Sequence, residues 1–103
     1  MIEMVKLFHC RLSQPDARRM MDGLMKGINY IHGLDIVHRD VKPENILITN
    51  GTPVLADFGG ATRMEGKRIR GQVGSTLYMA PEIIMDDEYD EKVDLWSCGM
   101  LNF

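Results

Sequence analysis

A chain of 103 residues, 45% hydrophobic and 26% charged, is at most one domain with a modest core, and this composition excludes wholesale disorder. A formal net charge of −3 argues against a general nucleic-acid binder, which carries a basic face. The two cysteines, Cys10 and Cys98, stand far apart and outside any C-x-x-C pattern, so free thiols in a reducing cytoplasm or nucleus are expected rather than a disulfide framework or zinc site.

The opening run, Met1 to Phe8, is apolar but too short and interrupted for a signal peptide, and no run approaches the ~20 apolar residues of a membrane span. A soluble intracellular protein with no membrane partner is the expectation. Ser13-Gln14-Pro15-Asp16 reads as a helix start, with Ser13 as N-cap, Pro15 in the first turn and Asp16 near the positive end of the dipole. Ala17, Met20, Met21, Leu24, Ile28 and Ile31 then recur at spacings of three and four, which predicts a helix ending near Gly33 with this stripe in the core. Ile46-Leu47-Ile48-Thr49 and Pro53-Val54-Leu55-Ala56 flank Asn50-Gly51-Thr52, a hairpin pattern of 46–49 against 53–56. From Gly59 to Met79 the chain reads as loop. Pro81 to Met85 suggests a short helix, and Val93 to Leu101 begins another, with Leu95, Trp96 and Leu101 on faces expected to lack cover. The pattern is that of an α+β, mainly helical fold with one small hairpin.

The chemistry lies around that hairpin. His38-Arg39-Asp40-Val41-Lys42-Pro43-Glu44-Asn45 is followed, twelve residues after Asn45, by Asp57-Phe58-Gly59. H-R-D-x-x-x-x-N supplies a carboxylate that can receive a hydroxyl proton and an amide oxygen for a metal, and D-F-G supplies a second metal ligand. Asn45 precedes one strand and Asp57 follows the other, so an antiparallel hairpin brings these two hard oxygen donors, suited to Mg²⁺, side by side. On bare pattern Leu47 is strand core, Lys42 an exposed loop lysine, Glu44 a solvated glutamate, and His9 and His32 structural or exposed.

These motifs, with Gly74 to Glu82 and Asp94-Leu95-Trp96-Ser97-Cys98-Gly99, resemble the catalytic half of the eukaryotic protein kinase family, serine/threonine type, from about residue 12 to about residue 100. The resemblance implies a partial carboxy-terminal kinase lobe over residues 1–103, ATP and Mg²⁺ as cofactors, and protein substrates with a Ser or Thr acceptor, with a regulatory protein as a further partner. It implies that Asp40 accepts or orients the substrate hydroxyl, that Lys42 touches the transferred phosphoryl and marks serine/threonine specificity, and that Ser75 hydrogen-bonds both. Asn45 and Asp57 hold the metal, Leu47 lies under the adenine ring, and Glu44 reads a basic side chain of the substrate peptide. His38 becomes a packed strut rather than a base, and Asp94 holds the catalytic-loop backbone. Arg11 to Ser13, Arg18-Arg19 and Ala80 to Ile84 look most like the calcium/calmodulin-dependent kinase group.

The chain also departs from that family. It contains no G-x-G-x-x-G loop and no V-A-I-K lysine, so the amino-terminal lobe is expected before Met1, and the arginine partner of Glu82 beyond Phe103. The alternatives to an enzyme are a truncated binding module without turnover and an incomplete gene model. Between Arg63 and Gly74 there is no Ser, Thr or Tyr, and Gly71 stands where the family's phosphosite falls. Arg39, which grips that phosphate in the family, has Glu65 as the nearest carboxylate in the loop. Gly60 adds a glycine after Asp57-Phe58-Gly59, which predicts a more mobile start to the segment. The basic residues Arg63, Lys67, Arg68 and Arg70, and the acidic run 86–91, read as solvated surface.

Overall fold

The computed structural model describes residues 4–6, 14–73 and 76–101. Ser13, Ser75, His9 and Cys10 therefore lie outside the described residues. Helix α1 spans Gln14–Gly33, with Asp16 in its first turn. Met20, Leu24, Ile28 and Ile31 are its buried stripe, as the three-and-four spacing predicts. The helix ends in a turn that brings Asp35 to φ 66°, from which the chain enters strand β2, Ile36–Val37.

Strands β3, Ile46–Thr49, and β4, Thr52–Leu55, form the expected hairpin. Asn50 (φ 51°) and Gly51 (φ 75°) are both left-handed, the backbone of a two-residue turn whose twist matches its strands. Such a turn consumes only two residues, so Thr52 pairs with Thr49 and the second strand runs 52–55 rather than 53–56. Pro53 is tolerated because β4 is an edge strand and owes no further ladder donor.

Two features correct the one-hairpin expectation. Strand β1, Met4–Lys6, pairs antiparallel with β3 and makes a three-stranded sheet in the order β1-β3-β4. Strand β5, Thr62–Arg63, pairs with β2 in a second, two-stranded sheet, so the 59–79 region is not all loop. The Met64 amide donates to the Asp35 carbonyl and the Glu65 amide to the Asp35 carboxylate, which continues that junction past the strand ends. Helix α2 is Pro81–Ile84, and α3 is Lys92–Gly99, shorter than the apolar run because the chain turns at Met100. Among the described residues no helix is long and apolar enough to cross a membrane.

Two apolar clusters hold these elements. Leu24, Ile28, Val41, Ile46, Cys98 and Leu101 form one, and Val37, Met79, Ala80, Ile83, Tyr89 and Val93 the other. Helix α1 lies close on the sheet, since a Cβ on Gly23 would come within 2.8 Å of Pro53 Cγ. Leu95 and Trp96 are exposed as expected, but Leu101 is only 6% exposed because the turn after Gly99 folds it back onto Leu24 and Ile28. The 38–40 stretch thus runs from Val37 in one cluster to Val41 in the other.

Two outcomes follow from this core. Leu24→Ala, at a position 1% exposed, should lower the unfolding free energy by about 2–5 kcal/mol in chemical denaturation, with the m-value unchanged. The Cys98 thiol, whose Sγ is 3.3 Å from Met21 Sδ and 3.7 Å from Met25 Sδ, is pushed up to about 11 by burial and then by the Asp94 charge. The unfolded chain releases this proton at lower pH than the folded chain, so the Cys98 contribution to stability should be constant below the ordinary thiol value and fall as pH rises toward 11. Peptide-resolved iodoacetamide labelling at pH 9 checks the cause: Cys98 should react far more slowly in the native chain than in the chain unfolded in urea.

Candidate active site

The 38–45 segment is fixed by a carboxylate from another element. Asp94, in the first turn of α3 and 0% exposed, accepts the His38 amide on Oδ2 and the Arg39 amide on Oδ1, each at 2.9 Å. The same Oδ2 accepts from His32 Nε2 at 2.9 Å, which ties the last turn of α1 into the arrangement. His32, which no motif marks, is thereby a structural partner of the loop. Arg39 sits at φ 72°, a conformation L-residues avoid, and Asp94 receives the amide that this geometry turns inward.

His38 is buried, and its ring hydrogen bonds define one tautomer. Nδ1 accepts from the Asp40 amide at 3.0 Å, so Nε2 carries the proton and donates to the Ala56 carbonyl at 2.8 Å. With both nitrogens engaged, the ring has no lone pair to offer a substrate. The Phe58 ring meets it edge-on, with centroids 4.8 Å apart. Acting as a strut, His38 joins the main chain before Asp40 to the main chain before Asp57.

Asn45, buried at the end of the turn Pro43–Asn45, makes the most informative contacts. Its Nδ2 donates to the Asp40 carbonyl at 2.8 Å and to the Asp40 carboxylate at 3.0 Å, which leaves Oδ1 as the acceptor end of the amide. Its carbonyl accepts the Ala56 amide at 2.8 Å, one residue before Asp57. The hairpin therefore places the Asn45 and Asp57 backbones as neighbours. Asp57 is exposed at φ 56°, and its Oδ1 accepts the Gly59 amide at 3.3 Å. Lys42 Nζ is 3.7 Å from Asp40 Oδ1, so both carboxylate oxygens face positively polarised groups.

Asp40, Lys42 and Asn45 thus meet through their side chains, and the hairpin sets the main chain of Asp57 beside Asn45. Leu47 is half-buried in the middle strand, paired with Lys6 and Val54, and Glu44 is half-buried in the turn before Asn45. Ser75 lies outside the described residues. Sequence reasoning missed Ser97, whose hydroxyl donates to the Tyr78 carbonyl at 2.5 Å and ties α3 to the 76–78 turn. It also missed Tyr89, a bland aromatic in sequence but 1% exposed in the fold.

A protein kinase domain model matches residues 2–103. The chain is 47% identical over 93 residues to the serine/threonine-protein kinase PEPKR2 of Arabidopsis thaliana, covering 88% of this chain and 20% of that protein. It is 41% identical over 100 residues to the phosphorylase b kinase gamma catalytic chain, liver/testis isoform, of Rattus norvegicus, covering 89% and 25%. With calcium-dependent protein kinase 4 of Plasmodium falciparum it shares 38% over 97 residues, covering 88% and 18%. The chain therefore spans between 18% and 25% of the length of these relatives. A carboxylate, a lysine, an asparagine and a second aspartate in this spacing, on a loop anchored by a buried aspartate, agree with that match: the chain belongs to the protein kinase family.

Proposed function

We propose that residues 1–103 form part of the carboxy-terminal lobe of a serine/threonine protein kinase and carry its phosphoryl-transfer groups. The observation that carries this reading is the Asn45 amide, which bridges the Asp40 main chain and carboxylate while its own carbonyl is tied to the residue before Asp57. One residue thus joins the general-base candidate, through its side chain, to the residue before the other metal-ligand candidate, through its main chain. The names of the relatives, serine/threonine kinases among them, support the reaction class. The calcium-dependent kinase match supports the calcium/calmodulin-dependent group.

The donor set fits Mg²⁺. That ion uses one or two protein oxygens and completes its shell with substrate phosphates and water. Asn45 Oδ1 and the Asp57 carboxylate are such a pair, and the described residues contain no cluster of three or more acidic, His or Cys side chains suited to an all-protein cage. When bound, ATP and Mg²⁺ supply the transferable phosphoryl group and the neutralisation of its charge. The chain's own groups do the rest. Asp40 receives or orients the proton of a Ser or Thr hydroxyl, its carboxylate held by Asn45 on one oxygen and faced by Lys42 on the other. The Lys42 ammonium offsets negative charge developing on the transferred group. Leu47 offers an apolar floor to the adenine, Glu44 a carboxylate to a basic substrate side chain, and Ser75 a hydroxyl toward Asp40 and Lys42. The setting is cytoplasmic or nuclear, with a regulatory protein as a further partner.

The test uses the chain joined to a lobe carrying a glycine-rich phosphate loop and its lysine, together with the later helices of the family. Transfer from ATP to a Ser/Thr peptide and Mg²⁺-dependent nucleotide binding are measured separately. Asp40→Asn should leave nucleotide affinity unchanged and lower turnover by about 10²–10⁴-fold. Asp57→Asn should abolish the metal-dependent part of nucleotide binding. Full turnover in Asp40→Asn, or phosphate appearing on tyrosine alone, would refute the assignment.

A further inference from the structure

In the segment after Asp57, a lone arginine meets a position that has no side chain. Gly71 adopts φ 112°, a conformation natural to glycine, and a Cβ placed on it would lie 4.0 Å from Arg39 Nη1. Any modified residue here would be presented to the arginine. Instead, Arg39 Nη1 donates to the Tyr89 hydroxyl at 3.3 Å, and that hydroxyl donates to the Gly71 carbonyl at 2.6 Å. Arg39 Nε donates to the Gly60 carbonyl at 2.7 Å. Glu65 is not the partner; the guanidinium is met by neutral oxygens.

The surrounding contacts reinforce this arrangement. Ile69 and Tyr89 exchange both main-chain hydrogen bonds, at 2.9 and 2.8 Å, and Gln72 Nε2 donates to the Ile84 carbonyl at 3.1 Å. A Cβ on Gly60 would collide with Val73 Cγ1, so the extra glycine permits close packing of the two ends of the segment. The Tyr89 ring is at the same time part of the second apolar cluster.

We infer that Tyr89 is a positioning residue that clamps segment 69–73 onto Arg39 and the Phe58–Gly60 turn without any phosphate. Its hydroxyl donates to the Gly71 carbonyl and accepts from Arg39, two roles that a fully ionised phosphate, an acceptor alone, does not combine. The consequence for catalysis rests on the kinase reading above, because Arg39 neighbours Asp40; the clamp itself is a property of this chain.

The experiment is limited trypsinolysis of the 103-residue chain after phosphatase treatment, with cleavage after Arg70 compared with cleavage after Lys26, an exposed residue within α1. Tyr89→Phe keeps the ring and removes only the hydroxyl. Losing one or two such bonds should raise the rate after Arg70 by about 5–30-fold, because proteolysis of a locally opened segment tracks its open population. The rate after Lys26 should not change. Arg39→Met, which removes the other half of the clamp, should reproduce the pattern. In Tyr89→Phe the Arg39 Nε–H proton should also exchange with solvent faster by a similar factor, a change that a ring acting only as packing would not produce. Equal acceleration at Arg70 and Lys26, no acceleration at Arg70, or an unchanged Arg39 signal would each overturn the clamp. None of these readouts involves phosphoryl transfer, so their failure and failure of the kinase assignment are separate results.

Discussion

The Asp94 carboxylate is the contact on which the rest of the site depends. Burying a lone carboxylate is costly, and an unpaired one would change protonation state or unfold its surroundings. Here three N–H groups, from His32, His38 and Arg39, converge on its two oxygens at 2.9 Å. Charge-assisted bonds of this kind are the strong members of their class. They come from two places in the chain, His32 in α1 and the adjacent His38 and Arg39, so one side chain of α3 locks α1 and the 38–40 stretch to its own helix. The arrangement holds Arg39 at φ 72°, a geometry whose cost of about 1–3 kcal/mol must be supplied by neighbouring contacts.

From that anchor a hydrogen-bond relay reaches both ends of the hairpin. Asp94 fixes the His38 amide, the His38 ring fixes the Asp40 amide on one nitrogen and the Ala56 carbonyl on the other, and the Ala56 amide returns to Asn45. Asn45 closes the loop on Asp40. Asp40 is therefore fixed both through its main chain and through its carboxylate, which Asn45 and Lys42 meet on separate oxygens. Asp57 stands apart in being exposed and left-handed, with the Gly59 amide alone at its oxygen among the described residues. Asp40 is set by more contacts than Asp57.

What the sequence disclosed and what it concealed divide along the range of the interactions. Helix α1 was legible because Met20, Leu24, Ile28 and Ile31 repeat at the helical period, and the hairpin because Asn50-Gly51 demands a left-handed turn. The motif residues were legible because their chemistry is local in sequence. Strands β2 and β5 were not, since two residues carry no period to read. The β1–β3 pairing was hidden for a different reason: an apolar stretch some forty residues upstream gives no sign of which edge it joins. His32 and Tyr89 were missed because they work through contacts distant in sequence, 62 residues for His32 with Asp94 and 18 and 50 residues for Tyr89 with Gly71 and Arg39. Leu101 was misjudged because its burial comes from a turn after Gly99, not from the helical run that preceded it.

Long-range contacts of this kind also explain how the segment after Asp57 can be ordered by residues that look unremarkable. A phosphate opposite Arg39 would hold the loop through charge, at about 1.5–3 kcal/mol per hydrogen bond, and its hold would follow modification and ionic strength. The neutral oxygens of Gly60 and Tyr89 still receive a charged donor, but neither can be removed by a phosphatase and neither adds charge beside Arg39. Two glycines make this possible for opposite reasons. Gly71 lends a backbone geometry that exposes its carbonyl to Tyr89, and Gly60 lends the space that Val73 fills. A side chain at Gly60 would have to displace Val73, whereas one at Gly71 would find room but strain a backbone held at φ 112°. Gly71, which offers no hydroxyl, and the second glycine after Asp57-Phe58-Gly59 thus serve one arrangement, in which Arg39 and Tyr89 hold the segment.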